Sequence, residues 1–199
     1  NVNSGYSKHM NNSINVCVFR IEEMEKVLVH EMVHALNLDI GNIEVPNNFF
    51  NIFNISPKTE ILLNEAYTEI LALILLLVLK SKNYNDLLKN IEKEQKHTAK
   101  QVAKILKYYN FNSIEEFIRP YDNLDRYKQN TSIFSYYFVK GGLLNSCPEN
   151  IELFGVDNKE SINSELMIDF SLREDYLELI DEQMKKKDSS KSMKMTVIG

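Results

Sequence analysis

Hydrophobic and polar residues change rhythm several times along the chain. Residues 14 to 20, INVCVFR, alternate and are rich in β-branched side chains, which predicts a strand. NVNSGYS before it reads as a neighbouring strand, with Gly5 at a bulge or a close backbone approach. From 22 to 37 the pattern is helical, without Pro or Gly, and Gly41 lies just past the end, where helices stop. Residues 38 to 58 lose the period; rich in Asn and aromatic residues, they predict an irregular, partly buried loop, long for a compact domain.

Ser56 followed by Pro57 marks the start of a helix over about 58 to 80. A second long helix covers about 84 to 109, with the polar face KNIEKEQKHTAKQ. SIEE at 113 to 116 fits a capping box for a short helix. Residues 131 to 144, TSIFSYYFVKGGLL, predict an aromatic helix, and SLRE at 171 to 174 opens a last helix to about 186. The tail KKKDSSKSMKMTVIG reads as solvated, with MTVIG able to pair as a terminal strand. The expected class is α+β, mainly α-helical: a small N-terminal β-sheet packed on the helix of 22 to 37, then a helical C-terminal lobe. The expected organisation is one domain, 1–199, with sublobes of approximately 1–57 and 58–199.

Composition narrows this picture. A chain of 199 residues that is 44% hydrophobic is long enough for one sizeable core. A net charge of −5 argues against nucleic acid as the partner, because phosphate binding wants a basic face. The apolar run ILALILLLVLK, 70 to 80, is too short to span a bilayer, and Glu65 and Glu69 lie just upstream. A buried helix explains it better. Two cysteines, Cys17 and Cys147, make no disulfide framework and point to a reducing compartment. With no signal-like leader visible, the expected location is cytoplasmic or intracellular, or the virion or host cytoplasm for a viral protein. The start, lacking Met, reads as an excision from a longer protein.

The chemistry sits in VLVHEMVHALNLD, residues 27 to 39. On a helix, His30 and His34 fall on one face about one turn apart, so both imidazoles can converge on one ion. Glu31, turned about 100° from His30, flanks that ion and can accept a proton from its water. His-Glu-x-x-His thus supplies two ligands and a general base from one rigid turn. The surrounding Val27, Leu28, Val29, Met32, Val33, Ala35 and Leu36 predict a buried helix, where bare polar groups are costly. A catalytic zinc site needs a third protein ligand. LLNEAYTEILAL, 63 to 72, offers Glu65 and Glu69 on one face of an apolar helix.

HEMVH followed by NEAYTE resembles the gluzincin zinc peptidases, the thermolysin-like group with a zincin fold. The resemblance implies Zn²⁺ as cofactor, Glu65 as third ligand after His30 and His34, and Glu69 as the group orienting His30. It implies hydrolysis of peptide bonds in a peptide or protein substrate through a zinc-activated water, with Glu31 as general base. It also implies a hydrogen-bond donor for the oxyanion from the C-terminal lobe, Tyr136 or Tyr137 first, then Tyr121, Arg126, Tyr127 and His97. A sheet edge, NVNSGYS or INVCVFR, would bind the substrate backbone. The chain departs from the family pattern in two ways. His34 and Glu65 lie 31 positions apart, a wider gap closer to that of botulinum neurotoxin light chains, and the second carboxylate is Glu where Asp is usual. The chain also bears a faint similarity to uncharacterised metallopeptidase-like proteins of large DNA viruses. The resemblance covers about residues 1 to 72. No third histidine follows at metzincin spacing, and His9 and His97 read as ordinary surface histidines. Two further readings stand beside the peptidase: an inactive or structural zinc-binding interaction protein, and a zinc hydrolase acting on something other than a peptide.

Overall fold

The computed structural model describes residues 5–10, 13–19, 21–118, 126–129, 131–186 and 193–198. β1 (Gly5–Met10) and β2 (Ser13–Val18) pair antiparallel, in a register running from Gly5 opposite Val18 to Met10 opposite Ser13. Two strands alone are marginal in water, and here both pack on α1 (Met24–Ala35). Gly5 is at the closest approach. A Cβ there would lie 2.8 Å from the Cys17 carbonyl oxygen and 3.0 Å from Glu31 Cγ. The close approach predicted at this position therefore sets the hairpin against the Glu31 side chain.

α1 ends earlier than Gly41 would require. Asn37 turns left-handed at φ 54°, its N–H donates to the His34 carbonyl, and the Leu38 N–H donates to the Val33 carbonyl. That double bond is a Schellman stop, built on Asn in place of Gly. The loop predicted over 38 to 58 contains a short helix, α2 (Asn47–Ile52), which buries Phe49. It closes with the same device at Asn54, followed by the buried Ile55.

α3 (Leu63–Lys80) is the central helix; residues 66 to 74 are buried all round. It begins five residues later than Ser56-Pro57 suggested. Those residues form a turn instead, closed by the Thr59 N–H donating to the Ser56 carbonyl, and Leu62 comes in extended with its N–H on Ser135 Oγ. α4 (Tyr84–Tyr108) matches its predicted span and is capped by Asn83, which accepts from the Asp86 N–H. It stops at Asn110, again left-handed.

In α5 (Ile114–Ile118), Ser113 Oγ accepts from the Glu116 N–H as a capping box requires. The reciprocal half departs from it: the Glu116 carboxylate accepts from Asn112 and pairs with Arg126. The aromatic segment opens as a π-helix, Phe134–Val139, and continues as α6 (Lys140–Asn145). Phe49, Phe53, Phe117, Phe134 and Phe138 stack there into one cluster. Gly142 lets α6 approach α7 (Ser164–Ser171), an element the local pattern did not announce: a Cβ would meet Ser171 backbone at 2.6 Å. α8 (Glu174–Lys185) is the predicted last helix, but Ser171 does not cap it; that serine ends α7, and Arg173 holds the cap position.

The tail departs most from expectation. Residues 193 to 198 form no strand, and Thr196 is buried rather than solvated. The Met195 and Thr196 N–H groups donate to Glu23 Oε1, and those of Val197 and Ile198 to Glu94 Oε1. The sum is a mainly helical α+β chain with a two-stranded N-terminal sheet. Among the described residues no helix is long and apolar enough to cross a membrane.

Candidate metal centre

α1 and α3 lie side by side and antiparallel, as the pairing of their charged side chains shows. Lys26, His30 and His34 recur every four residues on α1; Glu65 and Glu69 do so on α3. Glu69 meets Lys26 and His30, while Glu65 meets His30 and His34. Beyond His34 the ladder ends on Asp39.

Three side chains converge at its centre. His30 Nε2 and His34 Nε2 are 3.1 Å apart, Glu65 Oε2 is 3.6 Å from His30 Nε2, and Glu65 Oε1 is 3.8 Å from His34 Nε2. Tetrahedral binding to imidazole and carboxylate at about 2.0–2.2 Å needs donor atoms roughly 3.3–3.6 Å apart, a span that the 3.1–3.8 Å separations here bracket. Among the described residues this is the group of three that could hold a metal, with no fourth His, Cys, Asp or Glu joining it. The side chains of His30, His34 and Glu65 are 12%, 24% and 18% exposed, sheltered yet open to a small molecule.

The tautomers point the same way. His34 Nδ1 is 2.8 Å from Asp39 Oδ2. An ionised carboxylate only accepts, so Nδ1 carries the hydrogen and Nε2 offers its lone pair inward. His30 Nδ1 lies 2.9 Å from Glu69 Oε1, off the line of a straight hydrogen bond, with the same consequence for its Nε2. Two inward lone pairs 3.1 Å apart, beside a carboxylate, repel one another unless a cation lies between them. Without metal a proton serves: the nearby Glu65 carboxylate, opposed by burial and helped by Asp39, pushes His34 up to about 9.

The other groups are tuned by the same field. Burial would raise Glu65, but the neighbouring imidazoles of His34 and His30 hold it below the ordinary carboxylate range. Burial works against Glu69 as well, and Lys26 and His30 overcome it, so it stays well below that range. Glu31 goes the other way: burial raises it, and Glu65 and Glu69 add to the effect against the two histidines. A carboxylate held above its usual pKa is a better proton acceptor and donor near neutrality.

Tyr136, of the two tyrosines expected as donors, reaches the cluster: its hydroxyl donates to Glu65 Oε2 at 3.1 Å. Burial, then the charge of Glu65 and Glu69, keeps that phenol protonated far above its usual range. The π-turn carrying Tyr136 buries its neighbours Ser135 and Tyr137 and leaves Tyr136 half-buried. Tyr137 is turned away, donating to the Met193 carbonyl. The remaining candidates are occupied elsewhere. Arg126 donates to the Tyr109 carbonyl at the end of α4 and pairs with Glu116, Tyr127 donates to Gln129, and His97 contacts the Lys194 carbonyl. Tyr121 and the side chain of His9 lie outside the described residues. Asp39 is the site residue that sequence reasoning missed. Its signal was there: an acidic residue five positions after His34, just past an Asn stop, where the reversed chain returns to the histidine.

Comparison with known proteins adds one relative. The chain is 27% identical over 178 residues to an uncharacterised protein of Acanthamoeba polyphaga mimivirus. The match covers 83% of this chain and 45% of that protein, so the chain spans less than half of its relative's length. No family model and no solved structure matches.

Proposed function

We propose that the chain is a zinc-dependent metallopeptidase of gluzincin type, with His30, His34 and Glu65 as the residues that hold the ion. The observation that carries this reading is the convergence of His30 Nε2, His34 Nε2 and Glu65 at 3.1–3.8 Å with both outer imidazole nitrogens turned to carboxylates. Zinc in such a site supplies Lewis acidity, which activates a water and polarises a carbonyl.

The chain's own groups do the rest. Glu31, raised by burial, takes the proton of the attacking water and later delivers it to the leaving amine. Tyr136, a protonated phenol beside the ligand set, donates to the oxyanion as it forms. Glu69 and Asp39 hold the two imidazole tautomers that leave Nε2 free. That no fourth protein ligand joins the three among the described residues favours catalysis over a closed structural site.

The test pairs metal analysis with peptide-library cleavage. Wild type should carry near-stoichiometric zinc and cleave. Glu31→Gln should keep the zinc and lose about 10²–10⁴-fold in kcat. Glu65→Ala should lose both. Zinc retained with no cleavage by wild type would favour the structural module, and cleavage of other substrates alone would favour a different hydrolase.

A further inference from the structure

We propose that Lys26 is a positioning residue for this centre: its ammonium holds the outer oxygen of Glu69, and through Glu69 it sets the orientation of the His30 ring. The inference rests on the metal-binding reading above and adds a residue to it.

Three observations carry it. Lys26 precedes His30 by four residues, so it shares the ligand face of α1, one turn nearer the N-terminus. The two oxygens of Glu69 are divided between neighbours on that face, Oε1 at 2.9 Å from His30 Nδ1 and Oε2 in contact with Lys26 Nζ. A carboxylate held at both oxygens has its plane fixed, and so does the imidazole it faces. Finally, both partners are almost wholly inside, Lys26 at 3% and Glu69 at 3% exposure. A lysine in the first turn of a helix can ordinarily run its stem along the surface and leave its charge in water. This one is turned inward, at a desolvation cost that only a well-made pair offsets.

The layer behind explains how Lys26 stays there. Its Nζ also meets Met195 Sδ at 3.7 Å, and the Met195 carbonyl accepts from Lys140 Nζ at 3.1 Å. Residues 195 and 196 are tied down in turn by Glu23. The C-terminal segment thus covers the two lysines. Lys140 is fully buried and its charge also reaches Glu69, but it makes no ion pair with that carboxylate. The two cations therefore do different work. Either favours an ionised Glu69, whereas Lys26 alone touches it and restrains its rotation.

The experiment compares wild type, Lys26→Met and Lys26→Arg for Zn²⁺ affinity by chelator competition and for the visible spectrum of the Co²⁺-substituted protein. Lys26→Met should bind Zn²⁺ about 10–100-fold more weakly, the usual consequence of losing an outer-layer partner, with altered Co²⁺ bands. Lys26→Arg should restore most of both. Wild-type affinity and spectrum in Lys26→Met would overturn the role of Lys26 and leave the metal site standing. Failure of wild type to bind Zn²⁺ or Co²⁺ at all would overturn the metal reading itself and this inference with it. Should Lys26→Met not fold, the wild-type Lys26 Nζ resonance decides: it should shift on Zn²⁺ loading, and a resonance unmoved by the metal overturns the coupling.

Discussion

His34 is a residue on which opposing effects meet. Its Nδ1 is committed to Asp39 and its Nε2 faces Glu65, so the metal-free protein favours the imidazolium, with a pKa raised from 6.5 to about 9. A raised histidine pKa means the folded state holds the proton more tightly than the unfolded chain. Its stabilisation is complete below pH 6.5 and is lost as pH rises through about 9. Metal must expel that proton to bind, so metal affinity runs the other way and climbs across the same window. Thermal melts from pH 6.5 to 9 should therefore fall for the metal-free protein, while the stabilisation added by saturating Zn²⁺ grows. A metal-free melting temperature that is flat or rising through the window would refute the assignment of His34 as the proton-holding group.

At the scale of elements, the chain reuses one device. Leu36-Asn37-Leu38, Phe53-Asn54-Ile55 and Tyr109-Asn110-Phe111 each end a helix with a left-handed Asn between two apolar residues. The chain has only six glycines, none of them at positive φ among the described residues, and Asn is the next residue type to tolerate that conformation. The Asn37 stop matters most, because it sends the backbone back towards His34 and delivers Asp39 to its ring. Asn37→Ala should cost about 1–2 kcal/mol, the steric penalty of a Cβ without a compensating polar group in the left-handed region. That corresponds to roughly 2–8 °C in Tm for a chain this long. Asn37→Gly should be neutral or slightly stabilising. Differential scanning calorimetry of the pair checks this, and equal melting of the Ala and Gly variants would count against the stop. This pattern was legible in advance, since an apolar-Asn-apolar triplet after a helical run is local information. The late start of α3 was not, because the Leu62 N–H is satisfied by Ser135, 73 positions away.

Across the whole molecule, the last described residues are held behind the candidate site by carboxylates from distant parts of the chain. Glu94 on α4 accepts from the Thr196 hydroxyl and from the N–H groups of Val197 and Ile198, all on one oxygen. Glu94→Ala should free residues 197 and 198, and amide hydrogen exchange should show protection lost there before it is lost in α3. Unchanged protection of Val197 and Ile198 would show that the segment is held by something else. Much of this protein is written locally. The spans of α1 and α4, the hairpin, the buried helix around Glu65 and the pairing of His30 with His34 all follow from periods of two and 3.6 residues, which any short window displays. What tertiary structure decided is which faces meet. The antiparallel seam of α1 and α3 joins His34 to Glu65, a π-turn aims Tyr136 rather than Tyr137 at Glu65 from 71 positions away, and Glu23 captures the tail 172 positions on. Such contacts are settled by burying apolar surface and pairing charge across distant segments, and that balance has no period to read along the chain.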